Sequence, residues 1–116
     1  MDAFTLSELE ARRAAQGDPY LEFLTVPDLS AGLYVLEAGA VDRQQPHTED
    51  EVYYVLAGRG MFQAGNESLA VSAGTVLFVP RLQEHRFSDI TEDLTTLVFF
   101  APAEGSTPVQ YGLERT

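Results

Sequence analysis

The 116-residue chain has no cysteine and no lysine, and only two histidines. Without cysteine there is no disulfide framework, no zinc finger, no iron–sulfur cluster and no thiol nucleophile. Without lysine there is no amine to act as a general base. Positive charge is scarce altogether: 7 Lys plus Arg against 18 Asp plus Glu give a net charge of −11. So acidic a balance argues against nucleic acid, whose phosphates need clustered cations, and against docking on an anionic membrane. No apolar run approaches the roughly 18 residues of a membrane span. The N-terminus lacks a basic-then-apolar signal pattern. These absences lead us to expect a soluble, cytoplasmic protein.

What is present is ordinary globular material. Hydrophobic residues make up 45% and charged residues 22%, which rules out a disordered chain. The length suits one domain, divided here into an N-terminal helical arm (1–19), a core (30–101) and a tail (102–116). Ser7 and Glu10 form a capping-box pattern ahead of a segment rich in helix formers. Gly17 and Pro19 end it. Beyond Tyr20, short runs of Val, Leu, Tyr and Phe alternate with Gly, Pro, Asp and Asn. The runs predict strands at Leu21–Val26, Gly32–Ala38, Glu51–Ala57, Gly60–Ala64, Glu67–Val71, Thr75–Val79, His85–Asp89 and Thr95–Ala101. Gly65-Asn66 reads as a tight hairpin turn. Strands this short and evenly spaced predict an all-β sandwich or barrel.

Each histidine sits at the edge of a predicted strand. Gln45, His47 and Glu51 share parity, so an extended chain points all three to one side. An amide oxygen, an imidazole and a carboxylate are all competent metal ligands, and His85 could add a fourth from another strand. For a lone histidine a surface or hydrogen-bonded role is the commoner one, and parity alone does not overturn it. Glu49 shares the ligand parity, but the Glu49-Asp50 charge cluster is expected to be solvated. Tyr53 and Val55 share the face of Glu51, and Phe87 that of His85. Tyr53 could offer its hydroxyl to a ligand or a metal-bound water. Tyr54, Arg81 and Arg86 are expected to face outward.

The spacing of these residues resembles the two sequence motifs of the cupin family. In the first, Gly39 is followed after five residues by Gln45-Pro46-His47, after three more by Glu51 and after six more by Gly58. Gln45 stands where the family has its first histidine. In the second, Gly74 is followed after five residues by Pro80-Arg81-Leu82, after two more by His85 and after three more by Asp89. Leu82 replaces the family glycine, and Asp89 the asparagine. The resemblance spans residues from about 30 to 100. It implies a conical antiparallel β-barrel of the double-stranded β-helix, or jelly-roll, kind and a homodimer. Because covering exposed edge strands favours association, the short N-terminal helix and Leu21–Val26 are expected to take part in it.

The resemblance also implies one divalent transition metal, Zn, Fe(II), Ni or Mn, held by Gln45, His47, Glu51 and His85. Gln45 leaves two arrangements open. With its oxygen on the metal, the Gln-x-His pattern is similar to the zinc site of cupin-type phosphomannose isomerases. With Gln45 off the metal, two histidines and one carboxylate remain, the pattern of non-haem iron. A site that has lost its metal is a third possibility. The implied function is a metal-dependent enzyme of dioxygenase, isomerase or lyase type acting on a small oxygenated metabolite, with Tyr53 the candidate catalytic hydroxyl. The alternative is a non-catalytic small-molecule-binding module. In a third reading the metal merely staples a structural barrel.

Overall fold

The structure is a computed structural model that describes residues 1–43 and 45–105. Helix α1 (Leu6–Gln16) precedes strands β1 (Tyr20–Val26), β2 (Leu29–Leu36), β3 (Asp50–Ala64), β4 (Glu67–Ser72), β5 (Val76–Val79) and β6 (His85–Ala101). Most of the expected tail, residues 106–116, lies outside the described residues.

The long antiparallel pair β3 and β6 organises everything else. The first half of β3 lies between the second half of β6 and β5. The second half of β3 lies between the first half of β6 and β4. On the other side of β6, β2 and then β1 continue the sheet. The result is two leaves, β1-β2-β6-β3-β5 and β6-β3-β4, joined through the two long strands. Among the described residues the hydrogen-bonded path is open, running from β1 to β4. Inward-facing residues of both leaves, among them Tyr53, Val55, Phe62, Phe87, Val98 and Phe100, fill one apolar core. This is the expected all-β, antiparallel double-stranded β-helix with a short N-terminal helix.

Two expected strand breaks are bends instead. The predicted pairs 51–57 with 60–64, and 85–89 with 95–101, are each one continuous strand. The register of β3 on β6 slips between Val55 and Met61, and bulges of this kind bend a strand without ending it. Gly58 makes the bend possible. Its φ is +98°, and a Cβ there would stand 2.2 Å from the Asp93 carbonyl oxygen. The hairpin turn at Gly65-Asn66 is as expected, with Ala64 paired to Glu67 across it.

The helix begins earlier than the Ser7–Glu10 pattern predicts. Thr5 is the cap, and its hydroxyl accepts from the Glu8 N–H at 3.3 Å. Thr5 and Glu8 have the same three-residue spacing as Ser7 and Glu10, and the earlier pair prevails. Gly17 closes the helix in the left-handed region, φ +89°. Leu9 is buried against Leu21 and Leu33, worth about 2 kcal/mol. That contact seats a helix too short to persist alone. No helix among the described residues is long and apolar enough to cross a membrane.

Candidate metal centre

His47 lies in the segment before β3, Glu51 near the start of β3, and His85 is the first residue of β6. Two backbone contacts hold the approaches to β3 and β6 side by side. The Leu82 N–H donates to the His47 carbonyl at 2.7 Å, and the Arg81 N–H donates to Asp50 Oδ1 at 2.9 Å. Leu82 makes its contact from the left-handed region, φ +67°. The glycine that the family motif has at this position would adopt that conformation without strain.

His47, Glu51 and His85 each offer a ligand atom, and these atoms lie within 4.8 Å of one another. Glu51 is 1% exposed. His85 Nε2 approaches its Oε1 at 3.0 Å, yet among the described residues neither Glu51 oxygen receives a hydrogen bond of good geometry. A buried carboxylate without donors is costly unless a cation or proton is shared with it. His85 Nδ1 lies 2.8 Å from the Gln83 carbonyl. That carbonyl can only accept, so Nδ1 carries the proton and Nε2 of the neutral ring presents its lone pair toward Glu51. Tyr53 is fully buried, and its hydroxyl lies 3.1 Å from the same Nε2. Two acceptors facing each other across a buried gap suit a divalent cation, so the donor set fits the metal that the motifs imply.

The two imidazoles sit in opposed electrostatic settings. Burial works to lower the pKa of His85, but the Glu51 carboxylate and the Gln83 carbonyl outweigh it and raise it above 6.5. For His47 burial prevails: it is lowered from 6.5 despite the attraction of Glu51, and His85 pushes it the same way. The His47 ring stands edge-on to Phe100 at 4.7 Å.

Gln45 is exposed. It lines, with Pro46, Gln63, Glu84, His85 and Arg86, a cavity of about 260 Å³ at the His85 side of the cluster. Val55 and Phe87 are core residues, while Tyr54, Arg81 and Arg86 face outward, all as expected. Glu49 departs from expectation. It is 2% exposed, not solvated, because the Thr48 hydroxyl supplies a donor to its Oε2 inside the fold.

Two further residues had no signal in the motifs. Glu104, beyond β6, places Oε2 3.4 Å from His47 Nδ1. Burial, followed by repulsion from Glu22, Glu49 and Glu51, pushes its carboxyl up to about 7. Tyr20, in β1, lies beside His47 across a second cavity.

Comparison with known proteins agrees with this geometry. The family profile described as Cupin domain matches residues 32–101, and the chain belongs to the cupin family. It is 49% identical over 104 residues, 90% of this chain and 99% of the other, to the uncharacterized protein SCO3923 of Streptomyces coelicolor. Among solved structures it resembles TT1209 of Thermus thermophilus, with TM-score 0.70 and 23% identity over 89% of this chain and 99% of that one. It also resembles KdgF of Halomonas sp., with TM-score 0.65 and 24% identity over 72% and 78%. These structural likenesses concern the fold.

Proposed function

We propose that this cupin is a metal-dependent enzyme acting on a small oxygenated metabolite. His47, Glu51 and His85 hold one divalent transition metal, and Gln45 reaches the same ion from the wall of the cavity it shares with His85. The observation that carries this reading is the Glu51 carboxylate, buried with no hydrogen bond of good geometry among the described residues and 3.0 Å from His85 Nε2. A divalent ion held there supplies Lewis-acid polarisation of a bound oxygen donor. Tyr53 is the group proposed to move a proton, since its hydroxyl stands beside His85 Nε2 and the chain has no lysine to serve instead. A phenol in that place suits the proton transfers of isomerase and lyase chemistry. The reading includes a homodimer in a cytoplasmic setting. Support for the dimer comes from apolar side chains left exposed along α1 and β1 and just before the helix, namely Phe4, Leu6 and Val26.

The test is metal analysis by mass spectrometry on protein purified without a histidine tag, beside a Gln45→Ala variant. About one ion per chain, weakened in the variant, is the expected result. Metal bound equally well by the variant assigns the ion to three ligands only. No uptake of Fe(II), Zn, Ni or Mn by the wild type overturns the metalloenzyme reading and leaves a binding module. Light scattering after deletion of residues 1–19 tests the dimer surface, and an unchanged dimer removes the helix from it.

A further inference from the structure

Two cavities flank the cluster, and their chemistry differs. The one on the His85 side is polar, with Gln45, Gln63, Glu84 and Arg86 in its wall. The one on the His47 side, about 140 Å³, is walled by Tyr20, Tyr34, His47, Val98, Phe100 and Glu104. His47 belongs to both the cluster and this second cavity. We propose that the second cavity seats the substrate and selects an uncharged, hydroxyl-bearing small molecule over a carboxylate or phosphate. This deepens the reading above and rests on it for the cavity's place beside the reacting centre.

The polar groups of the cavity define what they can recognise. The Tyr34 hydroxyl is committed, donating to Asp42 Oδ1 at 2.7 Å. The Tyr20 hydroxyl is buried and, among the described residues, has no partner. A phenol stripped of water and left unpaired is costly, and a ligand hydroxyl that pairs with it recovers that cost. Its position is built in: the Tyr20 ring lies over Gly32, where a Cβ would stand 2.2 Å from the ring and hydroxyl. Any other residue at 32 would displace it.

Glu104 is held with equal care. The Ala103 N–H donates to the Pro27 carbonyl at 3.3 Å, and the Glu104 N–H donates to Ser30 Oγ at 2.9 Å. These bonds fasten the chain after β6 to the β1–β2 turn and aim the Glu104 carboxyl toward His47. The remaining wall is aromatic or aliphatic, with Tyr20 edge-on to Tyr34 and to Phe100. Such faces suit the C–H surface of a small polyol. Among the described residues no arginine lines the cavity, while Glu22, Glu49 and Glu51 lie near enough to act on Glu104. Among the described side chains of the wall an anionic ligand would meet the Glu104 carboxyl and no cationic group, and its one counter-charge would be the ion at the cluster, already shared with Glu51.

The test compares two probes with the same carbon skeleton, erythritol and erythronate, by ligand-observed NMR titration. It uses the full chain, with metal content measured on the same samples. Erythritol is expected to bind at least about tenfold tighter than erythronate. Tyr20→Phe keeps the ring and removes the hydroxyl, so it should weaken erythritol by roughly two- to tenfold. Glu104→Gln should narrow the gap between the probes. Equal or tighter binding of erythronate overturns the proposal. So does erythritol binding that Tyr20→Phe leaves unchanged, or no binding of either probe at millimolar concentration. If Tyr20→Phe does not fold, the wild-type preference and Glu104→Gln still decide. Erythritol binding without metal uptake would overturn the metalloenzyme reading and keep this one. Metal uptake with an anion preference would do the reverse.

Discussion

His85 Nε2 and Glu51 Oε1 stand 3.0 Å apart in the buried centre of the site, and His85 Nδ1 is already committed to the Gln83 carbonyl. In the metal-free protein the imidazole therefore gains by taking a second proton. Its pKa lies above 6.5, while that of His47 lies below. The two have opposite effects on stability. A raised histidine stabilises the fold fully below the unfolded value of about 6.5, and that contribution is lost as pH rises through the folded value. A lowered one adds stability as pH rises through its folded value, completely so above about 6.5. NMR titration of the metal-free protein should show His85 titrating at higher pH than His47. Glu51→Gln should lower His85, and coincident titration of the two rings would contradict this picture.

Glu104 makes a separate prediction. Its carboxyl is raised to about 7 from 4.5, so the folded state holds a proton that the unfolded state gives up. Stability tied to Glu104 is present below about 4.5 and falls as pH rises through about 7. Glu104→Gln should change the melting temperature little at pH 4. At pH 8 it should stabilise the metal-free protein by about 1 kcal/mol, after discounting for solvent screening of a partly exposed group. The same shift at both pH values would show that ionisation is not the cause.

The motif residues were legible because their spacing carries backbone geometry. Gly39, Gly58 and Gly74 all adopt positive φ, as tight turns and bends require. Parity grouped Gln45, His47 and Glu51, and the second motif added His85; ligand atoms of His47, Glu51 and His85 lie within 4.8 Å of one another, whereas Gln45 is exposed. The rest depends on tertiary contacts. Glu49 is buried because Thr48 supplies a donor, which an acidic run does not reveal. Glu104 lies past the last strand, in a stretch of mixed composition, and reaches His47 only because the chain is tied back to Ser30. Tyr20 reads as an ordinary strand aromatic, and that its hydroxyl lacks a partner among the described residues is visible only in three dimensions. The bends at Gly58 and near Asp93 read as strand ends because a glycine or an acid inside a strand looks the same locally as a turn.

Gly58→Ala should be among the most damaging single changes in the chain. A Cβ there meets the Asp93 carbonyl oxygen at 2.2 Å and the Leu94 Cα at 2.7 Å, both backbone, with φ at +98°. A loss of about 3 kcal/mol or more is expected in chemical denaturation. A loss under about 1 kcal/mol would show that β3 and β6 separate easily at the bend.

Leu82→Gly should do the opposite. Leu82 holds φ +67° and is exposed, so it keeps a left-handed conformation with little burial in return. Relief of that strain, less the entropy of a freer unfolded chain, should stabilise the protein by about 0.5–1 kcal/mol. The Leu82 N–H bond to the His47 carbonyl should persist, and metal content should not change. Destabilisation by glycine would mean that the Leu82 side chain contributes more than its exposure suggests.

Glu51, buried with no hydrogen-bond donor among the described residues, is proposed to anchor a divalent ion between His47 and His85. Calorimetric titration of metal-free protein with Zn tests it most directly, with wild type and Glu51→Gln compared above pH 7 and circular dichroism confirming that both are folded. One ion per chain is expected for wild type, with affinity lowered more than about 100-fold in the variant. Equal affinity in both proteins, or no binding by folded wild type, would contradict it.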